Sequence, residues 1–343
     1  MKPAPCTAVA GTNIALVKYW GKRGGALNLP AAGSLSLTLR ELATRTTVRF
    51  GATPEPPTMT AGASRDRIIL NGRDADPKTQ RRVGAFLDLV RARAHLDEPA
   101  EVVTENSVPT AAGLASSASG FAALALAASR AAGLVLPPEE LSALARQGSG
   151  SAARSIFGGF AEMRAGTRDD GADAHAVPIL NEGAWPLRMV VAVTSEGEKA
   201  IGSTEAMQRT AATSPYYRGW IDSVEGDLRD ARAAIAERDL PRLGAVAERS
   251  ALRMHACALA ADPPILYWSA ATMAAMHTVR DLRAHGKGIA AFFTIDAGPH
   301  VKVLCEAAQS AAVASALQAT PGVLRTIIAS PGPGAHVVQE GAG

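Results

Sequence analysis

Three stretches of this chain carry residue types suited to handling phosphate. Residues 106–120 (NSVPTAAGLASSASG) contain no charged side chain and are mostly Gly, Ala and Ser. They follow a strand-like run, 101–105, and lead into an apolar helix-like run, 121–132, closed by Gly133. A strand, a small-residue loop and a helix N-terminus form an anion cradle, because the first-turn N–H groups and the helix dipole both favour negative charge. Small residues let the backbone come close to phosphate oxygens. Ser116 and Ser117 could add hydroxyls to a phosphate or a metal ion. A serine-capped, tightly packed helix start fits the same pattern. No Gly-Lys-Ser/Thr follows, so this is not a Walker A loop, and the glycine spacing is not that of a dinucleotide fingerprint.

The second stretch is Lys18-Tyr19-Trp20-Gly21-Lys22-Arg23, three cations and two aromatics beside a strand end. It reads either as a site for an anionic ligand or as a solvated turn with one buried Trp. The third is 148–159 (GSGSAARSIFGG), where Ser149 and Ser151 flank a glycine and Arg154 lies three residues on. Arginine is a two-pronged donor that matches carboxylate or phosphate, though an ordinary turn with an exposed Arg fits as well. Further candidates are Lys199 and Ser203 in the loop 195–204, and Arg73 just after the Asn71-Gly72 turn, expected to be exposed but within reach of a site. His255, His277 and His285 sit on helix patterns and receive no role.

The elements that must position these residues follow from periodicity. Residues 7–17 read as strand, turn, strand; 34–39 and 44–50 alternate as two half-buried strands. Residues 68–70 enter a hairpin-type turn at Asn71-Gly72. Residues 77–94 form an amphipathic helix with Val83, Phe86, Leu87 and Val90 on one face. A helix opens at Pro137-Pro138-Glu139-Glu140 and ends at Gly148. Residues 160–164 and 176–180 are strands around an Asp/Gly-rich hairpin. Pro186 marks a domain boundary, giving domains of 1–186 and 187–330 and a mobile tail, 331–343. In the second half a buried strand, 188–194, precedes helices over 205–213, 220–238, 240–260 and 265–285. Strands over 289–294 and 301–304 flank the sharp loop Asp296-Ala297-Gly298-Pro299; a helix, 306–318, and a strand, 323–328, complete the order. That order suits a split β-α-β sandwich with helices on one face of an antiparallel sheet.

Composition sets bounds on partners. The 343 residues suit two domains or one large one. A net charge of +3 without a basic block does not imply nucleic acid and weakly suits a small anionic substrate. The uncharged run 107–129 is too polar for a membrane span. The three cysteines, Cys6, Cys257 and Cys305, are far apart and suggest neither a disulfide framework nor a metal pair. The N-terminus lacks the sustained apolar core of a signal peptide, so a cytoplasmic location without a membrane partner is expected.

Taken together, NIALVKYWGK (13–22), PTAAGLASSASG (109–120), GSGSAARS (148–155), MHA with PPILYW (254–268) and IDAGP (295–299) resemble the GHMP small-molecule kinase superfamily, and within it the diphosphomevalonate decarboxylase family. The resemblance runs from about residue 7 to about residue 330. It implies an α+β, two-domain GHMP-kinase fold: a ribosomal-protein-S5-like N-terminal domain that binds ATP, a ferredoxin-like C-terminal domain, and an active-site cleft between them. It also implies a homodimer, and an ATP- and Mg2+-dependent decarboxylation of mevalonate 5-diphosphate to isopentenyl diphosphate through phosphorylation of the C3 hydroxyl. By motif position Asp296 would orient that hydroxyl, Lys18 would lie beside it, and Arg154 would grip the substrate carboxylate. Tyr19, Lys22, Ser149, Ser151, Ser203 and Arg73 would hold the substrate. Pro109, Ala112, Gly113, Leu114, Ala115, Ser116, Ser117 and Lys199 would hold ATP, with Ser116 also a Mg2+ candidate. The pattern departs at His300, where many relatives carry Asn, and at Gly11-Thr12, where a proline often stands nearby. Alternatives inside the superfamily are a mevalonate 5-phosphate decarboxylase and a mevalonate 3-kinase; outside catalysis, the same fold could serve as a nucleotide- or metabolite-binding sensor.

Overall fold

The computed structural model describes residues 4–25, 27–51, 65–107, 116–197, 200–284 and 288–338. Its first sheet is built on two long strands, β1 (Cys6–Val17) and β2 (Ser34–Phe50). Both had been expected as pairs of shorter strands. Instead β1 runs through with a register shift between Gly11 and Asn13, while β2 bends around Arg40 and Glu41. Its first half pairs with residues 13–17 and its second half with residues 6–11. The bend works because backbone meets backbone there: a Cβ on Gly11 would lie 2.2 Å from the Leu39 carbonyl oxygen.

Beside them stand β3 (Arg67–Leu70), β4 (Arg73–Asp74), β5 (Ala100–Asn106), β6 (Phe160–Met163), β7 (Ala176–Leu180) and β12 (His336–Val337). The order is β12-β1-β2-β5-β3-β4, with β6 on the first half of β2 and β7 beyond it. β3 and β5 are parallel; the other pairs are antiparallel. One face of this sheet carries α1 (Pro77–Ala94), α2 (Ser116–Ala131) and α3 (Pro138–Gly148), packed on Ala8, Ala10, Val48, Phe50 and Val102. Asp76 caps α1 by accepting from the Lys78 and Thr79 amides. The Ala-rich middle of α2 is buried on all sides. A single turn, α4 (Ala152–Ser155), follows α3.

The second sheet holds β8 (Leu187–Val193), β9 (Ala291–Ile295), β10 (Val301–Glu306) and β11 (Arg325–Ala329), all antiparallel, in the order β11-β8-β10-β9. Counted from β8 this is 4-1-3-2, the ferredoxin-like order. One face packs on α8 (Ala270–Ala284) and α9 (Ser310–Gln318), the latter preceded by a 3-10 turn at Ala307–Gln309. The opposite face is covered too, contrary to the one-sided sandwich expected. There Leu187, Met189, Val191 and Leu304 join α6 (Tyr217–Glu237), α7 (Leu240–Leu259) and the first sheet's Ile14, Leu16, Leu35 and Leu37 in the largest apolar cluster among the described residues. α5 (Ser203–Thr213) lies at its margin.

Two other expectations are corrected. No helix begins at Ile265: Pro263 and Pro264 keep 265–269 extended, Ile265 and Tyr267 drop into the core, and Ser269 accepts from the Thr272 amide to open α8 at Ala270. Nor is the segment after Ser330 a mobile tail as far as residue 338. Gly332 donates to Thr38 O, Ala335 to Ser155 O, and β12 pairs with β1. Glycine permits this close seating, since a Cβ on Gly332 would lie 2.5 Å from the Arg40 nitrogen.

Candidate active site

A cleft of about 1040 Å³ opens between the two sheets. Among its described lining residues are five cations, Lys18, Lys22, Lys78, Arg82 and Arg154, against two acids, Glu205 and Asp296. That excess suits an anionic ligand carrying several charges.

At its centre Lys18, just past the end of β1, places Nζ 2.6 Å from Asp296 Oδ1 and also donates to Ala15 O at 2.7 Å. The Lys18 amide donates to Ser250 Oγ on α7. Asp296 follows β9, in a loop fixed by Gly298 donating to Asp296 O and by the Thr194 and Thr272 hydroxyls both donating to Pro299 O. A second buried lysine, Lys302 on β10, places Nζ 3.1 Å from Asp296 Oδ2. Burial alone would raise the Asp296 carboxyl, but the two ammonium groups outweigh it and hold it well below the usual carboxylate range. Burial lowers Lys18 to about 8 despite the attraction of Asp296; Lys302 and Arg154 push the same way as burial.

Arg154 sits on α4, fully buried. Nε donates to Ser36 Oγ at 2.9 Å, Nη1 to Ser34 Oγ, and Nη2 to Asn13 Oδ1 at 3.1 Å. Asn13 is itself fixed by donating to Ser151 O and Ser155 Oγ. No carboxylate lies within ion-pair distance of Arg154 among the described residues, and burial draws it down to about 10. A buried guanidinium held only by neutral oxygens is costly unless a ligand anion completes it.

Tyr19 stacks below Arg154, 6.0 Å from ring centre to guanidinium carbon. Its hydroxyl is buried without a hydrogen-bond partner among the described residues. It presses on Gly150, where a Cβ would lie 2.2 Å from the oxygen. The Ser149 and Ser151 hydroxyls flank this point, 3.2 Å apart. Lys22 donates to Asn28 Oδ1 at 2.7 Å and Thr204 Oγ1 at 3.3 Å; burial lowers its pKa and nearby Arg82 lowers it further. Ser203 opens α5 and, like Ser117 on α2, lines the cleft.

The structure thus brings together Lys18, Tyr19, Lys22, Ser117, Ser149, Ser151, Arg154, Ser203 and Asp296. It does not bring Arg73, which is exposed on the β3–β4 hairpin away from the cleft. The α1 cations Lys78 and Arg82 line it instead, and Arg82 stacks 4.4 Å over Phe121 while donating to Gly148 O. Sequence reading passed over Arg82 because it lies on the polar side of an amphipathic pattern. Lys302 was also missed, although a lone Lys inside the apolar strand VKVLC is the kind of signal that finds such a group. Pro109, Ala112, Gly113, Leu114, Ala115 and Lys199 lie outside the described residues, as does the Ser116 side chain. His300, the departure from the family pattern, is buried, and its Nδ1 accepts from the Thr194 amide.

Residues 10–176 match the model of a diphosphomevalonate decarboxylase-like N-terminal domain, and residues 189–327 that of a mevalonate 5-diphosphate decarboxylase C-terminal domain. The chain belongs to the diphosphomevalonate decarboxylase family. Its relatives include diphosphomevalonate decarboxylase mvd1 of Aspergillus fumigatus, 39% identical over 92% of this chain and 80% of that protein. The crystal structure of mevalonate diphosphate decarboxylase from Staphylococcus aureus superposes with a TM-score of 0.88 at 38% identity, covering 98% of each chain. The structure of MDDEF in complex with MVAPP, AMPPCP and magnesium gives a TM-score of 0.87 at 45% identity, covering 97% of this chain and 98% of that one. The two-sheet architecture described above is the family's GHMP-kinase fold. No helix among the described residues is long and apolar enough to cross a membrane.

Proposed function

We propose that this chain carries out the family reaction, converting mevalonate 5-diphosphate to isopentenyl diphosphate with consumption of ATP and release of ADP, phosphate and carbon dioxide. The observation that carries the reading is the ionised Asp296 between buried cations, beside the anion-seeking Arg154.

A tertiary hydroxyl leaves poorly, and a β-hydroxy carboxylate does not readily lose carbon dioxide. Phosphorylating the hydroxyl makes it a good leaving group. As phosphate departs, positive charge builds at C3 and the carboxylate electrons move into the forming double bond. Asp296, ionised and fixed, orients the C3 hydroxyl and supplies negative charge near C3; its low proton affinity suits positioning rather than strong base work. Lys18 contacts the hydroxyl or the transferred phosphoryl. Arg154 holds the carboxylate until the leaving group goes. Tyr19, Lys22, Ser149 and Ser151, with Arg82 and Lys78 in the place first given to Arg73, bind the diphosphate, and Ser203 joins nucleotide phosphate or substrate. The start of α2, with Ser116 and Ser117 and the preceding residues 109–115, receives ATP phosphates; Lys199 is assigned to ATP as well.

The cation-rich cleft fits the phosphate groups that would bring Mg2+ with them, and no cluster of acidic, imidazole or thiol ligands is present among the described residues. Ser116 at the start of α2 is assigned to Mg2+, which when bound would offset phosphate charge. We place the domain boundary at Pro186 and extend the reading to a cytoplasmic homodimer, testable by light scattering against the 35.3 kDa chain mass.

The test is release of carbon dioxide and ADP from ATP, Mg2+ and either mevalonate 5-diphosphate, mevalonate 5-phosphate or mevalonate at equal concentration. Preference for the diphosphate, abolished in Asp296→Asn, is expected. Preference for the monophosphate overturns the substrate, and ADP without carbon dioxide overturns the decarboxylation.

A further inference from the structure

Asp296 has two oxygens in unlike surroundings. Oδ1 takes the short bond from Lys18. Oδ2 is sealed from solvent and accepts no well-aligned hydrogen bond among the described residues, yet Lys302 Nζ lies 3.1 Å away. Lys302 itself is 1% exposed. Its strand neighbours Val301, Val303 and Cys305 face α8 and α9, so strict alternation turns Lys302 and Leu304 toward the cleft side. Among the described residues its ammonium is paired with Asp296 alone. A buried lysine with one off-line ionic contact is a poor stabiliser of a fold, since apolar replacement usually does as well or better.

The two lysines also differ in freedom. In the proposed reaction Lys18 turns toward the hydroxyl or the phosphoryl group, and its attraction to Asp296 weakens when it does. Left alone, a half-buried carboxylate with one oxygen sealed from solvent would then hold a proton more readily and lose the charge the reaction uses. We infer that Lys302 is a positioning residue for the family reaction, the permanent counter-charge that keeps Asp296 ionised and its carboxylate plane fixed while Lys18 serves the substrate. The inference rests on the functional reading above. The charged and titratable groups facing Asp296 are Lys18 from the end of β1, Lys302 from β10, Arg154 from α4 and His255 from α7. Of these, His255 is drawn down by burial to about 3 and stays neutral, and Arg154 makes no ion pair with Asp296 and is assigned to the substrate carboxylate.

The experiment uses full-length wild type, Lys302→Met and Lys302→Gln; the glutamine keeps a donor without the charge and guards against a packing failure of the methionine. The carboxyl 13C resonance of Asp296, identified by its loss in Asp296→Asn, is followed against pH in each. It should stay ionised throughout the folded range in wild type and titrate at least about one pH unit higher in both variants. In parallel, kcat should fall by roughly 10²-fold with KM for mevalonate 5-diphosphate changed less than about 3-fold. An Asp296 resonance that titrates alike in all three proteins overturns the inference, as does a loss of activity carried by KM. The titration needs no substrate. It therefore decides the role of Lys302 even if the wild type releases no carbon dioxide, an outcome that would sink the functional reading alone.

Discussion

Arg154 is where stability and function pull apart. It is a full charge in the interior, ringed by hydroxyl and amide oxygens, with no carboxylate in reach among the described residues. Such a group costs desolvation energy that only a bound anion repays. Arg154→Met should therefore leave the unliganded unfolding midpoint unchanged or raised by about 1 kcal/mol equivalent, while lowering turnover by roughly 10²–10³-fold. Paired denaturation curves and carbon dioxide release check both halves, and a fall in stability of several kcal/mol would refute the first. His255 makes a second residue-scale prediction. Burial, aided by Lys18, holds its pKa near 3, and its ring packs against Trp268, with centroids 4.8 Å apart and planes tilted by 43°. The folded protein refuses a proton that the unfolded chain accepts below about 6.5. This contribution to stability is intact above pH 6.5 and is lost progressively as pH falls toward 3, by about 1.4 kcal/mol per unit. His255→Phe, which keeps a ring for Trp268, should show a correspondingly shallower decline between pH 6 and 4. Equal slopes in the two proteins would mean that the ring is not held neutral.

At the scale of elements, the turn α4 presents Arg154 and carries no cap of its own. Asn13 on β1 grips it from one side through Ser151 O and Ser155 Oγ. The C-terminal segment grips it from the other, with Ala335 donating to Ser155 O and Gly334 so close to Ile156 that a Cβ would lie 2.4 Å from its carbonyl oxygen. A chain ended at Ser330 should lose about 2 kcal/mol or more of stability and show a raised KM for substrate, because several buried backbone hydrogen bonds and the support of α4 go together. Unchanged KM in the shortened protein would show that α4 is held from the β1 side alone. This segment also shows where sequence reading stops. Helix α1 announced itself by apolar spacing, α3 by the prolines and acids of its first turn, and the Asn71-Gly72 turn by its positive-φ residues. The loop at Gly148–Ser151 and the aspartate loop were legible because few residue types allow such backbone approach, as at Gly150 against Tyr19. The seating of 331–338 was not, since Pro and Gly report local freedom and say nothing of a distant strand edge. The bend in β2 depends likewise on where Leu39 meets Gly11, and the role of Lys302 on which face of β10 turns toward β1.

For the molecule as a whole, the cleft lies where two sheets share a core. Ile14, Leu16, Leu35 and Leu37 from the first sheet pack in one cluster with Leu187, Met189, Val191 and Leu304 from the second. Polar ties cross the same seam: Lys18 to Asp296, Thr294 to Ala15 O, and Trp220 Nε1 to Trp20 O. Domains joined by a thin polar surface unfold separately, whereas domains that bury a common apolar cluster lose it together. Thermal unfolding should accordingly show one calorimetric transition with equal calorimetric and van't Hoff enthalpies. ATP analogue and mevalonate 5-diphosphate together should raise its midpoint, since both sheets contribute groups to the cleft and the ligands bind only when the two are joined. Two resolved transitions, with the ligands shifting just one, would mean that the apolar seam parts before either sheet melts and that the Lys18–Asp296 pair is formed only while the domains are docked.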